Sequence, residues 1–226
     1  MLRAVLFDLD NTLYSYDEAH AAAWRALTDY ALAQLSVAPA RFEALHTEAD
    51  RTLRAHAGAG PVVHNRLIRY QLLLEALGQP LRHAPVMAGL YWSTFLDRLR
   101  LFPGTVEGLE ALRRAGLRLG VATNMCADRQ FDKLERLGLW PYVDALVTSE
   151  EVAAEKPDAR VFLRCAEKLG CTAAECVCVG DGWKTDVLGA KNAGMRPIWF
   201  RPDGGEAEGV PVIRSLTELP ELLLSL

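Results

Sequence analysis

The 226-residue chain has no lysine between Met1 and Gln130. Schiff-base chemistry needs an amine, so that whole stretch is excluded from it. No apolar run approaches the ~18–20 residues of a membrane span. There is no surplus of positive charge either: 25 Lys and Arg against 29 Asp and Glu leave a net charge of -4. That balance excludes an electrostatic footprint for a nucleic acid polymer and a polybasic membrane anchor. The five cysteines, Cys126, Cys165, Cys171, Cys176 and Cys178, are odd in number and show no CxxC spacing. Reduced structural thiols are the expectation. The amino terminus enters a strand almost at once, with no secretory signal ahead of it, so a cytoplasmic protein is expected. No internal repeat or low-complexity segment occurs.

Half of the residues are hydrophobic and 24% are charged, enough for a substantial core beneath a soluble surface. The length allows one large domain or two modest ones. From Leu101 onward, strands and helices alternate. Strands are expected at Leu117 to Thr123, Val143 to Thr148, Cys176 to Val179 and Pro197 to Phe200. Helices are expected after Pro103-Gly104, where Val106, Leu109 and Leu112 form a stripe, and around Arg129 to Leu137, Asp158 to Leu169 and Val187 to Ala193. Such alternation implies an α/β fold with a parallel sheet and right-handed crossovers. Between about Tyr16 and Leu99 no strand pattern appears. Trp24, Leu27, Ala31 and Leu35 recur at helical spacing, as do Leu67, Tyr70, Leu74 and Leu77. Breaks fall at Val37–Pro39, Gly58–Pro61 and Gly78–Pro80. The division expected is a discontinuous α/β domain, 1–15 with 100–226, interrupted by about four helices over 16–99.

Open parallel sheets put ligands at the carboxyl ends of their strands. The first strand, Ala4-Val5-Leu6-Phe7, runs out into Asp8-Leu9-Asp10-Asn11-Thr12. Two carboxylates at i and i+2 of an extended chain point the same way and need a compensating cation, a shared proton or a ligand. The second strand ends in Thr123-Asn124. Lys156-Pro157 follows the third, and Gly180-Asp181, with Asp186 five residues on, follows the fourth. Carboxylates, a hydroxyl and an ammonium converging on one edge suit phosphoryl chemistry: oxygen ligands for Mg2+, a carboxylate nucleophile, and donors for the transferring oxygens.

Taken in order, these four segments resemble the motifs of the haloacid dehalogenase (HAD) superfamily, and the resemblance covers essentially the whole chain. The helical insert is similar to the cap of the phosphoglycolate-phosphatase-like branch, and the pattern looks most like its pyrimidine nucleotidase and N-acylneuraminate-9-phosphatase-like members. The resemblance implies a Rossmann-like core with an inserted helical cap, and a Mg2+-dependent phosphatase of small phosphorylated metabolites such as a nucleoside monophosphate or sugar phosphate. It implies Asp8 as nucleophile and metal ligand, and Asp10 as general acid then base, its main-chain carbonyl also reaching the metal. Thr123 and the Asn124 amide would bind the phosphoryl group, and Lys156 would offset charge. Asp181 would ligate Mg2+, with Asp186 acting from behind. A monomer or homodimer is expected. Gly182-Trp183-Lys184 and Met125 depart from the family's usual residues and affect the expected pocket rim.

Other readings compete. Asp186 could cap a helix starting near Val187, and Trp24, Trp92 and Trp140 are most simply core residues. In the insert, His20, His64, Arg66 and Arg69 could contact a leaving group, although core or surface roles compete for each. Arg66 and Arg69 share a helix face at i, i+3. A phosphomutase would use the same Asp8 and Asp10, with His20 near the cap hinge, but no mutase-like arginine and lysine pair follows. A haloacid dehalogenase needs no acid two residues after its nucleophile. A phospho-acceptor signalling domain would be about half this length and would lack the insert.

Overall fold

Four apolar residues, Ala4–Phe7, form β1, and all four are buried. β1 is central. It pairs in parallel with β2 (Arg118–Thr123) on one side and β4 (Cys176–Gly180) on the other. β3 (Ala145–Thr148) extends the sheet beyond β2, while β5 (Arg196–Phe200) and β6 (Val212–Ile213) extend it beyond β4. The order is β3-β2-β1-β4-β5-β6, every pairing parallel. The computed structural model describes residues 1–58 and 60–225, with the side chain of Ala57 excepted.

The chain falls into two compact units, Met1–Ser15 with Arg100–Leu226, and Tyr16–Leu99. In the first, both faces of the sheet are covered, which is why its strands read as unbroken apolar runs. Ala4 and Leu6 of β1, Ala122 of β2 and Cys176 and Cys178 of β4 point to one face, where they pack with Val161, Phe162, Cys165 and Leu169. Those four belong to a helix at Ala159–Lys168 and the residue that ends it. A side chain on Gly120 of β2 would put its Cβ 2.6 Å from Cys165 Sγ, so this close helix–sheet contact requires glycine. All five cysteines are free thiols, and Cys165, Cys176 and Cys178 are buried.

The second unit is helical: α1 (Tyr16–Leu35), α2 (Pro39–Ala57), α3 (Arg66–Leu77) and α4 (His83–Asp97). The expected break at Gly58–Pro61 includes Ala59, which lies outside the described residues. Beyond it a short 3-10 turn covers Pro61–His64. α1 buries Ala19, Ala23, Leu27, Ala31 and Leu35 at a four-residue spacing, the apolar stripe of a packed helix. α3 differs from its expected stripe. Leu67 is exposed, and the buried face is Arg66, Arg69, Tyr70, Leu73 and Leu74. Both sets satisfy helical periodicity; the two arginines occupy positions that pattern alone assigns to apolar residues. No helix among the described residues is long and apolar enough to cross a membrane.

The first unit continues with α5 (Thr105–Arg114), α6 (Ala127–Arg136), the one-turn α7 (Ser149–Val152), α8 (Ala159–Lys168), α9 (Leu188–Asn192) and α10 (Leu219–Leu224). The helix expected from Val187 begins earlier, as a π-helical turn at Trp183–Val187 leading into α9. This turn carries Asp186 on its inner side rather than at a helix cap.

Candidate active site

β1 stops because its next residues must turn. Asn11 adopts φ 59, a left-handed conformation that asparagine tolerates better than most side chains. The turn leaves Asp8 buried, at 6% exposure, beside the end of β4, where the strand order reverses and open α/β sheets place their ligands. Thr12 ties the two strand ends together. Its hydroxyl accepts from the Asp181 amide at 3.1 Å and lies 3.4 Å from Asp8 Oδ2.

Lys156 is the hub. Its ammonium donates to Asp8 Oδ1 and to Asp186 Oδ1, each at 2.6 Å, and its side chain is 2% exposed. Asn124 holds the Lys156 backbone from both sides: Oδ1 accepts from the Lys156 amide at 2.7 Å, and Nδ2 donates to its carbonyl at 3.3 Å. The Lys156–Pro157 bond is cis. Asp186 Oδ2 accepts from the Gly182 amide at 2.9 Å and from the Thr185 hydroxyl at 3.1 Å. Gly180 is required for this arrangement, since a Cβ there would stand 2.4 Å from Asp186 Cγ.

Asp8, Asp181 and Asp186 each offer an oxygen, and the three atoms lie within 4.8 Å of one another. Burial raises Asp8. Lys156 opposes the shift, but Asp186, Asp181 and Asp10 add to it, and the carboxyl is pushed up to about 8. Burial and Asp186 likewise push Asp181 up to about 6. Burial disfavours the Lys156 charge, but Asp186 and Asp8 more than offset this and hold its pKa above the ordinary lysine value. Three crowded oxygen donors with one ammonium form a site short of positive charge. That donor set fits a hard divalent cation such as Mg2+.

Asp10 is placed differently. Lys133 Nζ donates to both of its oxygens, at 2.7 and 2.8 Å, and the Tyr14 hydroxyl donates to Oδ1 at 2.5 Å. Its side chain therefore belongs to a second cluster, apart from the three-carboxylate group that Asp186 completes. Thr123 is buried at the end of β2 and accepts from Gln130 Nε2 at 2.6 Å, which leaves its own hydroxyl hydrogen free to donate. Gln130 and Lys133 lie on one face of α6 at i, i+3, and both are fully buried. Neither stood out in the sequence, because polar residues at helical spacing normally mark a solvated face.

Among the other expected features, Trp183 is partly exposed and packs edge-on against Trp199, with centroids 4.9 Å apart. Trp199 Nε1 donates to the Asp181 carbonyl at 2.7 Å. Trp92 is buried, whereas Trp24 and Trp140 are half-buried. His20, Arg66 and Arg69 gather within the helical unit, where Arg66 and Arg69 are buried.

A model of the haloacid dehalogenase-like hydrolase family matches residues 2–194. A ribulose-1,5-bisphosphate 5-phosphatase of Halopiger xanaduensis is 35% identical over 89% of this chain and 86% of its own. A glyceraldehyde 3-phosphate phosphatase of Methanothermobacter thermautotrophicus is 32% identical over 99% and 100%. The N-acylneuraminate-9-phosphatase of Rattus norvegicus is 34% identical over 61% of this chain and 57% of its own. Among solved structures, a 2-haloacid dehalogenase of Pseudomonas syringae superposes with TM-score 0.82 at 30% identity, covering 100% of this chain and 99% of that one. A HAD phosphatase of Thermococcus onnurineus gives 0.74 at 28%, covering 98% of each.

Proposed function

The chain belongs to the haloacid dehalogenase-like hydrolases, and from that premise we propose that it hydrolyses small phosphorylated metabolites through an aspartyl phosphate on Asp8. The observation that carries this reading is the Lys156 ammonium held 2.6 Å from both Asp8 and Asp186 at the strand ends, with Asp181 beside them. The relatives' names support phosphoric monoesters as the substrates.

In this reading Asp8, Asp181 and the Asp10 main-chain carbonyl would hold Mg2+, with Asp186 behind them. Bound there, the cation would supply positive charge against the phosphoryl oxygens and would favour the ionised, attacking form of Asp8. An Asp8 oxygen bonds to phosphorus as the bond to the leaving alkoxide breaks, and Asp10 gives that alkoxide its proton. Thr123, through its free hydroxyl hydrogen, and the Asn124 amide donate to the phosphoryl oxygens, and Lys156 balances the charge accumulating around Asp8. Asp10 then takes a proton from water as the water oxygen attacks phosphorus. Inorganic phosphate leaves and the Asp8 carboxylate is restored. Lys133 and Tyr14 keep Asp10 aimed through both halves. The helical unit is proposed as the cap that selects the leaving group. Five free thiols suit a reducing compartment, and we assign the protein to the cytoplasm.

The test is turnover of an aryl phosphate with Mg2+ present. Asp8→Asn, a poor nucleophile, is expected to lower kcat at least a thousandfold. Near-normal turnover in that variant removes Asp8 from the reaction.

The likeness to a 2-haloacid dehalogenase favours one second reading, displacement of halide by the same Asp8. The buried Asp8–Asp181–Asp186 group and the held Asp10 argue against it, because carbon–halogen cleavage has no use for a divalent cation or a proton donor. Halide release from a short 2-haloacid without phosphate release from any monoester would establish dehalogenation instead.

A further inference from the structure

Asp181 is held at both of its peptide planes. Its amide donates to the Thr12 hydroxyl at 3.1 Å, and its carbonyl accepts from Trp199 Nε1 at 2.7 Å. A peptide is planar, so fixing the planes on either side of one Cα also fixes the direction of its Cα–Cβ bond. The main chain thereby aims the Asp181 carboxylate. The Gly182 amide belongs to the same peptide as the Asp181 carbonyl, and it donates to Asp186 Oδ2 at 2.9 Å. One peptide, Asp181–Gly182, therefore carries Asp181 at one end and holds Asp186 at the other. Turning that plane moves two of the three clustered carboxylates at once.

The Trp199 indole anchors the carbonyl side of this peptide. Trp199 lies on β5, opposite Gly180 in the β4–β5 register and one residue short of Asp181. An indole N–H only donates and a carbonyl only accepts, so chemistry fixes the direction of the bond. The other bonds of the segment are internal to its π-helical turn, where the Gly182 carbonyl accepts from the Asp186 and Val187 amides at 2.8 and 3.2 Å. Trp199 instead ties the segment to a neighbouring strand, a firmer support than a turn.

Trp183 opens the turn, in a segment where the chain departs from its family's pattern, and packs edge-on against Trp199 at an interplanar angle of 65°. The Arg201 guanidinium lies 4.7 Å from the Trp199 ring centroid, and the Lys191 ammonium 5.9 Å from that of Trp183. A carboxylate cluster alone gives no reason for a partly exposed indole beside it. The half-buried Trp199 does, because its hydrogen bond competes with water, and a ring laid against it keeps water off and strengthens the bond.

We propose that Trp199, with Trp183 packed against it, is a positioning residue of the cation site, an assignment that rests on reading the three-carboxylate cluster as a Mg2+ site. Its N–H holds the Asp181–Gly182 peptide in the orientation that brings Asp181 and Asp186 together with Asp8. An indole offers no ligand to a hard cation, yet these two set how tightly the cation is held. Groups that orient ligands in this way are worth about 10–100-fold in metal affinity.

The test is calorimetric titration of Mg2+ into the full chain without substrate, together with thermal unfolding with and without Mg2+. Two replacements separate the N–H from the ring. Trp199→Phe keeps an aromatic ring against Trp183. Benzothienylalanine in place of Trp199 keeps the shape of the indole and exchanges only its N–H for sulfur. Both are expected to weaken Mg2+ binding about tenfold, and Trp183→Ser about threefold. Without Mg2+ the benzothienyl protein is expected to unfold within a few degrees of wild type, and to gain less than wild type when Mg2+ is added. A packing role would do the reverse, lowering the metal-free unfolding temperature and leaving the affinity alone. Mg2+ affinity in the benzothienyl protein within about twofold of wild type overturns the proposal and leaves the metal reading standing. Unchanged affinity in Trp183→Ser overturns the part given to Trp183. A wild-type chain that binds no Mg2+ overturns the metal reading and the positioning role with it.

Discussion

Cation binding at the strand ends must displace protons. Asp8 is pushed up to about 8 and Asp181 to about 6, so at neutral pH the metal-free site holds protons that a divalent cation has to expel. A simple titration leaves Asp8 about half ionised at pH 8 and about one part in a hundred ionised at pH 6, where Asp181 is also half protonated. The apparent Mg2+ affinity is therefore expected to fall about a hundredfold from pH 8 to pH 6, or about 2.7 kcal/mol at 1.36 kcal/mol per unit. The sign follows from the direction of the shifts. Carboxyls raised above their unfolded values favour the metal-free fold when protonated. That contribution is complete below about pH 4 and is lost as pH rises through 6 and then 8. Bound Mg2+ is expected to restore it at the alkaline end. Isothermal titration in two buffers of different ionisation heat measures both quantities, with about 1.5 protons released per Mg2+ at pH 6 and about 0.5 at pH 8 expected from the same titration. Asp8→Asn should release no more than about half a proton at pH 6. Mg2+ affinity that is flat from pH 6 to 8, or binding without proton release, would refute the crowded-carboxylate argument.

Lys133→Met leaves Asp10 held by Tyr14 alone. Removing one partner of a buried ion pair costs about 3–5 kcal/mol, and about 2 is expected here because the Asp10 side chain is 24% exposed. Urea unfolding checks the stability, and phosphate release should fall at least tenfold. Gly180→Ala forces a Cβ against Asp186 and should cost about 1–3 kcal/mol; it is also expected to weaken Mg2+ binding, and unchanged binding would separate Asp186 from the site. His46 is half-buried and held in its neutral form, so its contribution is present above its unfolded pKa of about 6.5 and lost as pH falls. At pH 5 the loss is about 2 kcal/mol. Thermal unfolding at pH 7 and pH 5 should therefore show a smaller acid loss in His46→Phe than in wild type.

Legibility in the sequence followed strand ends. Asp8, Thr123 and Asp181 each sit at or just beyond the end of an apolar strand, and Lys156 comes in the segment that follows β3, so the parallel topology puts them on one edge. The expected strands match β1 to β5 to within two residues. β6, only Val212–Ile213, is too short to show alternation, and one-turn α7 is too short to show a period. The residues that went unread are polar groups facing inward from helices. On α6, Gln130 and Lys133 occupy the spacing of a wet face, and only the partners Thr123 and Asp10 explain their burial. On α3, Tyr70 and Leu74 are buried as expected, but Leu67 is exposed while Arg66 and Arg69 are buried, against what hydrophobicity assigns to those positions. Asn124 was marked for its backbone, yet its side chain clamps Lys156, a contact between residues 32 apart that no local pattern encodes.

The position of β1 constrains the order of events during synthesis. Its four residues are made well before either neighbour in the sheet: β2 begins at Arg118 and β4 at Cys176. Until then Ala4–Phe7 is a bare apolar strand with two unsatisfied edges. The helical unit, 16–99, is meanwhile made in full and is compact by itself. Elongation at about 5–20 residues per second puts roughly 10–30 seconds between the birth of β1 and the arrival of β4. During that interval Ala4–Phe7 is an apolar segment without its sheet partners, a liability for aggregation until β2 and β4 are made.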